Sequence, residues 1–251
     1  MKKNTADLWN GSTYDAAMAV SSQGPTRETF IQSMLRTTTR AVSHCSPRRS
    51  LASSAYTNSY GNPAVTTTPL NLTQKQRSAL DSALRVDQAG EVAANWIYYG
   101  QHVVLGHQPG TGPLIQEMWD QEKKHLDIMD KLQIQHRVRP TILMDAAKMG
   151  GFALGAVTAL MGKEAAMACT EAVETVIGEH YDDQLKEMES LPSDDPSVQL
   201  LRDVVKEFRD DELEHLDIAV VNYAQRAPAH ALLSTVVGAG CKVAIGLCKR
   251  F

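Results

Sequence analysis

The phrase D-x-E-x-x-H-L-D-I occurs twice in this chain, once in WDQEKKHLDI (119–128) and once in RDDELEHLDI (209–218). On a helix, residues three apart share a face about one turn apart. Glu122 with His125, and Glu212 with His215, can therefore each aim a carboxylate and an imidazole at one point. One such phrase is usually a solvated face or a salt-bridged histidine. Two in register are harder to set aside, because each follows the same upstream pattern. AGEVAANWIYYGQ precedes the first and AVETVIGEHYDDQ the second; both read A-x-E-x6-Y-x-x-Q, matching Glu91, Tyr98 and Gln101 with Glu174, Tyr181 and Gln184. The sum is four carboxylates and two imidazoles. Four carboxylates balance two divalent cations, one imidazole per cation suits iron, and no thiolate steers the set towards zinc. Buried without metal, such a cluster carries a penalty for every unpaired charge, which argues against a purely structural role. The predicted ligands are Glu91, Glu122, His125, Glu174, Glu212 and His215.

Other polar residues near these positions have plainer readings. Glu171, Glu179 and Glu214 read as helix-surface acids. Asp211 and Asp87 are placed to accept the second N–H of a ligating histidine, or to sit in surface ion pairs. Tyr98 and Tyr181, seven residues beyond their glutamates, point into the core, for packing or for a redox or substrate-gating role. His180 shares that choice. His102, His107, His136 and His230 have no partner in the pattern.

Long helices must position these groups. Thr73 is a plausible N-cap for a helix over 74–105, and GHQPGTG breaks the chain. Pro113 suits the first turn of a second helix running to about Arg137. An apolar stretch follows Pro140 to Gly162. A third helix spans about Lys163 to Ser190 and a fourth Val198 to about Gln225, with Pro228 opening a fifth. No strand-like alternation occurs. The expected fold is all-α: two hairpins joined by a long crossover through 137–162, as in ferritin-like four-helix bundles, with additional short apolar helices.

Composition narrows the function. Residues 1–70 carry seven Lys/Arg against three Asp/Glu, whereas residues 71–251 carry eighteen against twenty-six. An acidic body speaks against nucleic acid, which wants a basic face. Cys45, Cys169, Cys241 and Cys248 are scattered, which fits a reducing compartment rather than a disulfide framework or zinc knuckle. No uninterrupted apolar run reaches the ~20 residues of a membrane span. From Thr29 to Leu80 there is no acid, among many Ser, Thr and Arg. That is transit-peptide composition, starting best at Met34. Residues 1–71 are expected to be a transit peptide and disordered extension, and 72–251 the functional domain.

RVDQAGE (85–91), MWDQEKKHL (118–126), RVRPTILM (137–144), GFALGAVTALMGKEAAMACTEAVE (151–174) and FRDDELEHLDI (208–218) strongly resemble the demethoxyubiquinone hydroxylases, mitochondrial enzymes of ubiquinone synthesis. The resemblance covers 72–251. It places the family's iron ligands on the same six residues and its His-Tyr pair on His180 and Tyr181. It implies two iron ions, with NADH or the quinol itself as reductant. The implied reaction is O2-dependent ring hydroxylation of a polyprenyl demethoxyquinol, 2-polyprenyl-3-methyl-6-methoxy-1,4-benzoquinol. It further implies a peripheral site on the matrix side of the mitochondrial inner membrane, a lipid-binding accessory protein within a ubiquinone-synthesis complex, and a homo-oligomer. Residues 149–162, apolar between Lys148 and Lys163, read as an interfacial segment meeting membrane or partner. The C-terminal helix reads equally as membrane-facing or packed on protein. Two alternatives stand beside the hydroxylase: another ferritin-like iron oxidase or iron-handling protein, and a membrane-associated scaffold. The apolar segments count against the first, and the complete ligand set against the second.

Overall fold

Local capping chemistry sets where the long helices begin. The Thr73 hydroxyl accepts from the Gln76 amide while the Gln76 side chain accepts from the Thr73 N–H, a reciprocal pair that satisfies two otherwise orphaned donors. Asp195 accepts from the Ser197 and Val198 amides ahead of Pro196, whose fixed φ suits a first turn. This cap starts the fourth bundle helix at Pro196, two residues before the start expected from sequence.

The computed structural model describes residues 52–57 and 61–251. A 3-10 turn (Ser53–Tyr56) and a short helix α1 (Pro63–Thr66) precede the bundle helices α2 (Gln74–Leu105), α3 (Thr111–His136), α5 (Lys163–Glu187) and α6 (Pro196–Val221). Helix α4 (Met144–Leu160) lies in the crossover between the two hairpins, and α7 (His230–Cys248) follows the second. No strand occurs among the described residues. The fold is the all-α, ferritin-like arrangement expected.

Two apolar layers bracket the bundle centre. Leu80, Leu84, Met129, Leu132, Val198, Leu201, Val205 and Phe208 fill one end. Leu105, Ile115, Met118, Met167 and a run of alanines fill the other. Each large side chain so buried contributes about 1.5–3 kcal/mol, and together they hold polar groups between the layers in place.

Residues 1–51 and 58–60, including the expected start at Met34 and most of the expected transit peptide, lie outside the described residues. The turn at 53–56 and helix α1, both placed in the extension, pack on the bundle. Tyr56 and Val65 are buried in the first apolar layer, and Ser53 bonds Glu207 through both its amide and its hydroxyl. Scarcity of acids carried no information about burial.

Helix α4 packs one face on α2. At Gly100 and Gly155 an added Cβ would collide with the facing helix backbone, so the two helices approach at glycine. The opposite face of α4 leaves Met149, Val157 and Leu160 exposed.

Helix α7, with 19 residues and a mean hydropathy of 1.8, is long and apolar enough to cross a membrane by length and composition, contrary to the sequence reading. Counting an uninterrupted run stopped at Lys242, but one long-stemmed lysine does not end a hydrophobic helix. One edge of α7 packs on α5 and α2 through Val237 and Cys248, while Leu232, Val236 and Val243 are exposed.

Candidate active site

All six predicted residues meet at the centre of the bundle, each almost fully buried. They form two overlapping groups whose ligand atoms lie within 4.8 Å of one another: Glu91, Glu122, His125 and Glu212, and Glu122, Glu174, Glu212 and His215. Glu122 and Glu212 belong to both, one from each Glu-x-x-His helix. Each imidazole reaches across to the other hairpin's shared carboxylate, His125 Nδ1 lying 3.3 Å from Glu212 and His215 Nδ1 3.1 Å from Glu122, while the i, i+3 spacing sets His215 Nδ1 3.3 Å from Glu212 of its own helix.

The donor set fits metal. Glu91 Oε2, both Glu122 oxygens, Glu212 Oε2, and the Nδ1 atoms of His125 and His215 are buried without a hydrogen-bond partner. Buried polar atoms are normally satisfied, and these six gather at one point between the four helices. Burial pushes the Glu91 carboxyl up to about 8 and raises Glu122 and Glu174. Burial opposes charge on both imidazoles as well, yet their carboxylate partners outweigh it and hold them well above the usual histidine range. Glu212 is also opposed by burial, but the two imidazoles beside it, each 3.3 Å away, carry it below the ordinary carboxylate value. Two cations would replace the protons that these groups share.

Around the cluster the repeat becomes a cross-bracing. The Tyr98 hydroxyl donates to Glu174 Oε1 at 2.9 Å, and the Tyr181 hydroxyl donates to Glu91 Oε1 at 2.5 Å, so each single-glutamate helix steadies the other's carboxylate. Burial and neighbouring carboxylates raise both phenols well above their normal range, which keeps them neutral donors. His125 Nε2 meets Asp211 Oδ2 at 3.0 Å, and His215 Nε2 meets Gln121 Oε1 at 2.7 Å. Asp211 thus takes the role weighed for it. Asp87 does not reach a histidine of the cluster; it accepts from Gln184 at 2.5 Å and lies 3.1 Å from His180 Nε2. The sequence reading missed Gln121, although the register of the two phrases pairs it with Asp211. It also missed Phe208, whose ring stacks on His125 at 3.9 Å.

Several of the residues set aside have structural partners. Glu171, read as a surface acid, is largely buried and bonds His230 at 2.6 Å, tying α7 to α5. Glu179 is an exposed partner of Lys242, His102 packs against Trp119, and His136 bonds Thr68.

A cavity of about 480 Å³ leads to the cluster. Its floor carries Asp87, Glu91, Glu174, His180, Tyr181 and Glu212, and its walls are apolar side chains and glycines of α2, α4, α5 and α7. A few convergent polar groups at the end of an apolar cavity are the general form of a small-molecule site.

The fold and the site therefore define a ferritin-like helical bundle whose buried carboxylate–imidazole cluster can hold metal and opens onto an apolar cavity. Residues 78–248 match the family described as Ubiquinone biosynthesis protein COQ7, and the chain belongs to that family. The chain is 50% identical over 182 residues to the mouse protein named NADPH-dependent 3-demethoxyubiquinone 3-hydroxylase, mitochondrial, covering 72% of this chain and 82% of the mouse protein. Identity to the 5-demethoxyubiquinone hydroxylase, mitochondrial, of Saccharomyces cerevisiae is 43% over 192 residues, covering 72% and 82% of the two chains. It is 44% over 173 residues to the 3-demethoxyubiquinol 3-hydroxylase of Rhodospirillum rubrum, covering 68% and 78%.

Proposed function

We propose that this chain is a di-iron monooxygenase that hydroxylates the ring of a polyprenyl demethoxyquinol in ubiquinone biosynthesis. The observation that carries the reading is the meeting of two features: a doubled carboxylate–imidazole cluster with its inner atoms unpaired, and an apolar cavity that ends on that cluster. Iron storage or oxidation alone has no use for such a cavity.

Glu91, Glu122, His125, Glu174, Glu212 and His215 would hold two iron ions. Bound there, iron supplies O2 activation and delivery of one oxygen atom to the ring. The balance is a ring C–H, O2, two electrons and two protons giving a ring C–OH and water. A reduced nicotinamide is the electron source in this reading, in keeping with the NADPH dependence in the mouse relative's name.

The protein's own groups bind, orient and exclude water. The walls of α4 and α7 take the polyprenyl tail. His180 and Tyr181 meet the ring end, with the Tyr181 hydroxyl donating to Glu91 Oε1 and His180 Nε2 anchored on Asp87. The exposed apolar faces of α4 and α7 lie on the same helices that wall the cavity, which supports entry of the substrate from a bilayer surface. In this reading the protein is peripheral on the matrix side of the mitochondrial inner membrane, and residues 1–71 include its transit peptide. The mitochondrial names of the mouse and yeast relatives support the compartment.

A single turnover tests this. The full chain is loaded with ferrous iron, given a demethoxyquinol analogue and exposed to labelled O2, and the product is weighed. One labelled oxygen in the ring is expected. Iron oxidation with an unchanged quinol would overturn the hydroxylase reading.

A further inference from the structure

We infer that the two metal positions are unequal by construction, the one at His125 filling first and holding its ion more tightly, because Asp211 backs His125 where Gln121 backs His215. The inference rests on the metal reading above and goes beyond it.

The two backing residues are counterparts. Each immediately precedes the glutamate of its own Glu-x-x-His phrase, and each crosses to the histidine of the other hairpin: Asp211 on α6 to His125 on α3, and Gln121 on α3 to His215 on α6. In both pairs the imidazole turns Nδ1 into the cluster and Nε2 outward, so the same hydrogen bond is made twice with different acceptors. An amide oxygen is neutral. A carboxylate carries charge, accepts a stronger bond, and makes the opposite ring nitrogen a better donor to a cation. Bond length does not explain a difference in the same direction, since the Gln121 contact is the shorter at 2.7 Å against 3.0 Å. Charge is what distinguishes them.

Two further features act on the order. Phe208 stacks on the His125 ring at 3.9 Å, fixing its plane, whereas its counterpart in the repeat is Met118, which has no ring to stack on His215. Glu122 and Glu212 serve both groups, so the first ion draws on charge that the second must share. A modest bias at the histidines is thereby converted into an order of filling. The Asp211 side chain is 27% exposed, so solvent screens part of its effect and the expected difference lies near the lower end of the 10- to 100-fold range typical of such outer partners.

The test is an anaerobic calorimetric titration of the metal-free full chain with ferrous iron, repeated with cobalt(II) as an optical probe. The wild type should take up two ions in two steps. Asp211→Asn should weaken the tighter step about tenfold and leave the weaker one in place. Gln121→Glu should tighten the weaker step and leave the tighter one, so the two variants move opposite ends of the same curve. Circular dichroism confirms that both fold. Two ions bound with affinities that neither variant shifts, or a loss confined to the weaker step in Asp211→Asn, would overturn the inference. A wild-type chain that takes up no iron or cobalt would remove the metal reading itself.

Discussion

The two hairpins contribute the same residue types to the centre of this bundle and different ones just outside it. Glu91 and Glu174, Glu122 and Glu212, His125 and His215, and Tyr98 and Tyr181 are matched pairs, and each tyrosine bonds the other hairpin's single glutamate. One shell further out the match fails. His180 stands where the other helix has Ile97, Asp87 where it has Thr170, and Asp211 where it has Gln121. Gln184 accordingly bonds Asp87 while Gln101 bonds Thr170. The surroundings differ as well. Tyr181 lines the cavity beside His180, whereas Tyr98 is closed in against Met118 and the His215 ring. Symmetry is what holding two like cations requires. A reaction on one substrate needs a side, and the unmatched residues supply it.

The comparison can be broken most severely at a residue the two halves share. Glu212→Ala removes an oxygen donor from both groups, and metal analysis should fall from two ions per chain to none, whereas Glu91→Ala touches one group and should leave one ion. Equal metal content in the two variants would refute the sharing. Next comes the tyrosine pair. Tyr181→Phe should slow single-turnover hydroxylation about 100-fold, the scale of a lost proton-handling group, and Tyr98→Phe less than about tenfold. Equal effects would mean that the cavity does not choose a side.

A smaller effect is expected in the walls. Nothing lies within 4 Å of a Cβ added at Gly240, which faces the cavity. Gly240→Leu should raise KM for a long-tailed quinol roughly tenfold and leave a tail-less ring analogue unaffected, the scale of a misfit of a few methylenes. Its melting temperature should not fall, because leucine is the better helix former.

A last comparison separates the cluster histidines from an ordinary buried one. His136 is fully buried, its Nε2 has no partner, and burial and then Arg77 hold its pKa down to about 4. Its unfolded value is about 6.5, so the unfolded chain takes up a proton that the folded chain refuses. The stability this gives is complete above pH 6.5 and lost as pH falls towards 4, by about 1.4 kcal/mol per unit. Denaturant titrations at several pH values should show that slope reduced by one proton in His136→Gln. An unchanged slope would show that His136 already titrates normally.

Much of this was legible in the chain. Duplicate phrases at helical spacing, each behind a single-glutamate helix, announce two hairpins, and a helix repeats its face so regularly that i, i+3 residues must share it. Thr73 could be read as a cap because capping is local. What escaped was whatever depends on a neighbour distant in sequence. Ser53 and Tyr56 look like part of an acid-poor tail until Glu207 and the apolar layer are beside them. Helix α7 looked too short to span because Lys242 interrupts its apolar run, although its stem can stay with the apolar face.

The sequence by itself determined the inventory: the fold class, the six buried groups and their two-fold duplication, all fixed by residue type and helical period. Tertiary structure alone decided the pairings. That each tyrosine serves the opposite glutamate, that Asp211 and Gln121 exchange histidines across the bundle, and that α4 and α7 enclose a cavity over one tyrosine are consequences of how helices pack. Packing sets distances between residues that periodicity along one helix leaves free.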